Sequence, residues 1–106
     1  MAWIYLLIAG LLEVVWAYGM KLSAGFTQLG ASLLTIVAML LSFGLLAVAM
    51  KSLPLGTAYT VWTGIGAVGS FAVGIVVLGE AVTPLRLFAA ALILAGLLLM
   101  KLSSPA

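Results

Sequence analysis

The placement of charge constrains this chain more than any other feature. From Leu22 to Met50 there is no charged side chain, and none again from Ser52 to Gly79. Leu87 to Met100 is a third uncharged run. Four basic and two acidic residues make up 6% of the sequence, where a soluble domain carries about a quarter. With a mean hydropathy of +1.46, the chain is expected to be an all-α integral membrane protein. The few bases are dispersed and form no basic face for nucleic acid. No Cys and no His occur, which excludes disulfide scaffolds, Cys/His zinc sites and histidine triads. No cofactor is implied. The N-terminus lacks the basic region of a secretory signal, so the first apolar run is expected to remain as a span.

Short polar punctuation divides the chain into four transmembrane helices within a single domain, 1–106. The expected spans are about 2–20, 29–50, 54–78 and 84–102. The first stops at Lys21 and the Ser23-Ala24-Gly25 stretch. The second closes at Lys51. The third opens with Pro54 in its first turn and ends at Gly79. The fourth opens with Thr83 as cap and Pro84 as first helical residue. At 1.5 Å per residue, each covers a hydrocarbon core of about 30 Å. The fourth does so if Arg86 and Lys101 reach to opposite interfaces. All three prolines lie at span ends or in the tail.

Four spans bring both termini to one side. Lys51 and Lys101 then share a side, and Lys21 and Arg86 share the other. Two against two gives no positive-inside bias, so insertion in both orientations is the expectation. Two oppositely inserted chains would form an inverted repeat, the arrangement on which alternating access is commonly built. One chain of this length is thin for enclosing a pathway, which favours an antiparallel, dual-topology homodimer.

Glu13 stands alone inside the first span. A carboxyl at that depth costs about 2.5–3.5 kcal/mol on insertion scales and is functional by default. Helical spacing places Gly10, Glu13, Trp16 and Ala17 on one face. The second span carries Ser42 near its centre with Thr35 on the same stripe. The third carries Tyr59, Trp62, Thr63 and Gly66. These supply the hydroxyl and indole donors available to a buried carboxylate. Burial, donors and a second Glu13 from a partner compete for its proton, which suits a group exchanging protons near physiological pH. No base lies at depth, so the ligand is expected to be a cation, with cation–π capacity from Trp16, Tyr59 and Trp62. Bland readings stand beside these. Ser42 can bond back to its own helix, the aromatics can belong to an interfacial belt, and Glu80 reads as a solvated interface charge. Gly64-Ile65-Gly66 suits either close packing or a bend. Ala89 and Gly96, seven apart, form a small-residue groove suited to a dimer contact.

Two blocks, Gly10-Leu11-Leu12-Glu13-Val14-Val15-Trp16-Ala17 and Pro54 to Gly66 (PLGTAYTVWTGIG), resemble the small multidrug resistance family over essentially the whole chain. Gly56-Thr57-Ala58-Tyr59, Trp62 to Gly66 and the Lys21-x-Ser23-x-Gly25-Phe26 loop look like its guanidinium-exporter subtype. The resemblance implies an antiparallel homodimer in the bacterial inner membrane exchanging protons for guanidinium. It implies Glu13 as shared proton and substrate ligand, with Trp16, Ser42, Tyr59 and Trp62 as its hydrogen-bond partners. Gly64 and Gly66 fall on the family's helix bend, and Ala89 and Gly96 on its dimer-packing stripe. Ala89 departs from the glycine often found there, and Thr60 stands where alanine is common. Three alternatives stay open: an exporter of lipophilic quaternary ammonium cations, a non-transporting accessory membrane subunit, and a cation channel.

Overall fold

The structure, a computed structural model, describes residues 1–103, so Pro105 in the tail lies outside the described residues. Four helices follow one another: α1 Ala2–Leu22, α2 Leu29–Ala49, α3 Leu55–Val76 and α4 Pro84–Ser103. Each is long and apolar enough to cross a membrane. Backbone polar groups inside lipid must find partners within their own segment, and uninterrupted helices satisfy them.

The ends differ from the sequence reading by one or two residues, each for a local reason. α1 runs on through Lys21 and Leu22, since a base in a last turn complements the helix dipole. Its stop is a left-handed stretch, Ala24 (φ 50°), Gly25 (φ 76°) and Phe26 (φ 66°). Non-glycine residues are disfavoured there by about 1–2 kcal/mol each, so the stretch must be held from outside. Fully buried Ser23 holds it. Its Oγ donates to Met20 O at 2.6 Å and accepts from Phe26 N at 3.0 Å. Its carbonyl accepts from Thr27 N at 2.8 Å and Gln28 N at 3.1 Å.

α2 ends one residue early, with Met50 as its cap. Pro54 is the N-cap of α3 and not part of its first turn, because its ψ of 150° is extended. α3 stops at Val76. Gly79 (φ 69°) turns the chain, and Glu80 N donates to Gly74 O at 2.9 Å. α4 opens as expected: Pro84 is its first residue, and Thr83 Oγ1 accepts from Arg86 N at 3.2 Å.

α1 lies at the centre, packed on α2 and α3, while α4 packs its backbone only against α3. Small residues make these contacts close. A Cβ on Gly19 would lie 2.6 Å from Thr35 Oγ1, and one on Gly10 would lie 2.6 Å from the Ile65 side chain. On α2 the buried stripe is Ser32, Thr35, Ala38, Ser42, Leu46 and Ala49, at the three-and-four spacing of one helix face. Ser32 and Thr35 donate back to Gln28 O (2.6 Å) and Ala31 O (2.8 Å), so their hydroxyls need nothing from lipid. The core gathers Leu6 and Ala9 of α1, Leu46 and Ala49 of α2, Leu53, and Ala58, Val61 and Trp62 of α3.

Both ends of the bundle match the charge arithmetic. Lys101 Nζ sits 4.8 Å over the Trp3 ring, which brings the end of α4 beside the start of α1. Lys21, Glu80 and Arg86 line one cavity of about 340 Å³ at the opposite end.

Candidate cation site

Glu13 projects from α1 onto α3 at Gly66. Its carboxylate and Cγ fill the space where a side chain at position 66 would begin, so only glycine fits there. Glu13 is half-buried, and its Oε1 is buried without a hydrogen-bond partner.

The turn that carries Glu13 is tied to the other two helices. Ser42 on α2 is fully buried, and its Oγ donates to Ala9 O on α1 at 2.7 Å. That carbonyl is also the i−4 acceptor for the Glu13 backbone N–H in an α-helix. Trp62 on α3 donates its indole N–H to the same Ser42 Oγ at 3.0 Å. One hydroxyl thus joins three helices one turn from the carboxylate. The bland reading of Ser42 does not hold: its hydroxyl does not bond back to its own helix. Within this one chain its hydroxyl bonds Ala9 and Trp62, and not Glu13.

The aromatic residues form an arc around this junction. Trp62 meets Tyr59 at 5.6 Å between ring centroids and Phe43 edge-on at 5.9 Å. Phe43 in turn meets Trp16 edge-on at 6.3 Å. Both edge-on pairs are in favourable aromatic geometry. Phe43 went unnoticed in the sequence, where a phenylalanine in an apolar run carries no signal. Trp16 Nε1, like Glu13 Oε1, is buried without a partner.

The remaining sequence candidates divide. Gly10 is buried against Ile65 and serves the α1–α3 contact. Tyr59 and Thr63 are exposed and open onto a cavity of about 340 Å³ between α3 and α4, together with Thr60 and Ile93. Gly64 packs against Leu97 of α4. α3 passes through Gly64-Ile65-Gly66 as one continuous helix. Ala89 and Gly96 are exposed on α4, and space around Gly96 is open.

A lone carboxylate seated on a glycine, one turn from a hydrogen-bonded junction of three helices, makes Glu13 the candidate cation ligand of this bundle. Comparison with known proteins places the chain in a family. Residues 1–93 match the family model described as Small Multidrug Resistance protein. The chain belongs to the small multidrug resistance family. Its relatives include the "Guanidinium exporter" of Escherichia coli (strain K12), 60% identical over 104 residues, covering 98% of this chain and 99% of that protein. Those of Citrobacter freundii and Salmonella typhimurium are 58% identical over the same coverage. With four apolar helices, this member of the family is a multi-pass protein of the bacterial inner membrane.

Proposed function

We propose that this protein exports guanidinium in exchange for protons, working as an antiparallel homodimer with alternating access. The observation that carries the reading is Glu13. It is a carboxylate seated within the bundle, and one of its oxygens is left without a partner by its own chain. A guanidinium ion is planar and donates two parallel N–H bonds to a carboxylate, giving strong and geometrically selective binding without a large pocket. Near-full-length relatives named as guanidinium exporters support that choice of cation.

In this reading, protons from outside neutralise the two Glu13 side chains and the dimer rocks to expose the site inward. Guanidinium then displaces the protons, and the loaded dimer rocks back. Trp16, whose indole N–H its own chain leaves unpaired, and Tyr59 form the hydrogen-bonding wall of the site, the donors of Ser42 and Trp62 being spent on Ala9 and Ser42. Ser42 and Trp62 brace α1, and Gly10 and Thr63 are further supporting residues. Gly64 and Gly66 permit the bend in α3 that rocking requires. Two facts favour a second copy: the single chain leaves both Glu13 Oε1 and Trp16 Nε1 unpaired, and α4 buries no residue. Ala89 and Gly96 would line that contact.

The test is the current evoked by guanidinium from purified protein in liposomes, across a pH series. A current that weakens as pH falls is expected, since protons and guanidinium compete for the same carboxylates. Silence with guanidinium but a response to a quaternary ammonium cation would assign the protein to drug export. Silence with both would favour an accessory subunit.

A further inference from the structure

The α4 backbone packs on α3 and not on α1, and between α1 and α4 lies a cavity of about 390 Å³. Its walls are Ile4 and Leu7 of α1 and Leu94 and Leu98 of α4, over a floor of Val61 and Ile65. Such a volume falls in the range that holds a small ligand. At the membrane-surface end stand Trp3 and Lys101, the ammonium 4.8 Å over the indole ring. The groove therefore has a greasy body and a cationic mouth.

The two ends of the bundle differ in charge. At the Lys21 and Arg86 end a carboxylate, Glu80, lines the same cavity as both bases. The Lys101 end has no acidic side chain, because the only other acid in the sequence is Glu13 within the span. Trp3 adds an indole N–H that is buried without an acceptor. Among the described residues no acidic side chain faces Lys101, and a lysine at a membrane surface attracts anionic lipid by about 1 kcal/mol or roughly fivefold. Tryptophan sits at the same level by its amphipathic ring.

We propose that the α1–α4 groove binds one anionic phospholipid, its phosphate at Lys101 and Trp3 and an acyl chain laid between Leu7 and Leu94. The lipid fills the space left where the α4 backbone packs on α3 and not on α1.

The experiment uses Trp3 as the reporter. A Trp16→Phe, Trp62→Phe chain is reconstituted into vesicles containing brominated-chain phosphatidylglycerol or phosphatidylcholine, and quenching of Trp3 fluorescence is read. Brominated phosphatidylglycerol should bind about fivefold more strongly than phosphatidylcholine, the factor expected for one basic residue. Lys101→Gln should bring the ratio near one, while Lys101→Arg and Lys51→Gln should keep it. Equal quenching by both lipids in the parent would overturn the proposal. So would absence of quenching by either, which would mean that a second copy of the chain covers the groove. Native mass spectrometry of the otherwise unaltered chain gives an independent reading. A phosphatidylglycerol adduct should survive detergent removal in the wild type and be lost in Lys101→Gln. Equal retention in both would contradict it.

Discussion

The seam between α1, α2 and α3 and the contact of α4 are made on different terms. In the seam, backbones approach over Gly10, Gly19 and Gly66, and a buried hydroxyl bonds across all three helices. α4 touches α3 through Gly64 and Leu97 and buries no residue of its own. In lipid there is little hydrophobic force to hold helices together, so close packing and interhelical hydrogen bonds do it. The first three helices have both and form a scaffold that fixes Glu13. The fourth has little of either, which leaves its face free for lipid or for a second copy.

The comparison can be broken at four places, in falling order of effect. Gly66→Ala puts a methyl group into the space of the Glu13 carboxylate. The guanidinium-evoked current should drop roughly tenfold or more, as displaced reacting groups commonly do; an unaltered current would show that the carboxylate does not need that seat. Ser42→Ala removes the bond to Ala9 and leaves the Trp62 indole without its acceptor. Stability in detergent, followed by circular dichroism during SDS titration, should fall by about 1–2 kcal/mol. Gly19→Ala drives a methyl group against Thr35. Overpacking of about 1–3 kcal/mol outweighs the gain of about 0.5–1 kcal/mol from replacing a helical glycine, for a net loss near 1 kcal/mol in the same titration. Gly96→Ala meets open space on α4 and should leave that titration unchanged within about 0.5 kcal/mol. If α4 pairs with a second copy, the same change should weaken dimerisation in light scattering. A loss of stability as large as that of Gly19→Ala would erase the distinction between the two regions.

Much of this was legible in the sequence because the membrane simplifies the code. Uncharged runs punctuated by Lys21, Lys51 and Lys101 announce the four helices, and a lone carboxyl within one of them marks the candidate site. The helix ends were less legible. Lys21 belongs to α1 because the stop lies further on, in a left-handed turn that Ser23 stabilises through bonds no local pattern announces. The site's wiring was least legible. That Ser42 bonds the carbonyl of Ala9, and that Gly66 seats Glu13, depends on which helices meet and at what height. Phe43 joins Trp16 to Trp62 for the same reason: its partners are on other helices.

The most direct test of the central claim is accumulation of guanidinium in liposomes driven by an imposed proton gradient, compared between wild type and Glu13→Gln. Gln keeps the shape of the side chain on Gly66 but holds neither a proton to exchange nor a charge to pair with the cation. The account predicts uphill accumulation by the wild type, collapsing when the gradient is dissipated, and none by Glu13→Gln. Proton-driven accumulation that persists in Glu13→Gln would contradict it.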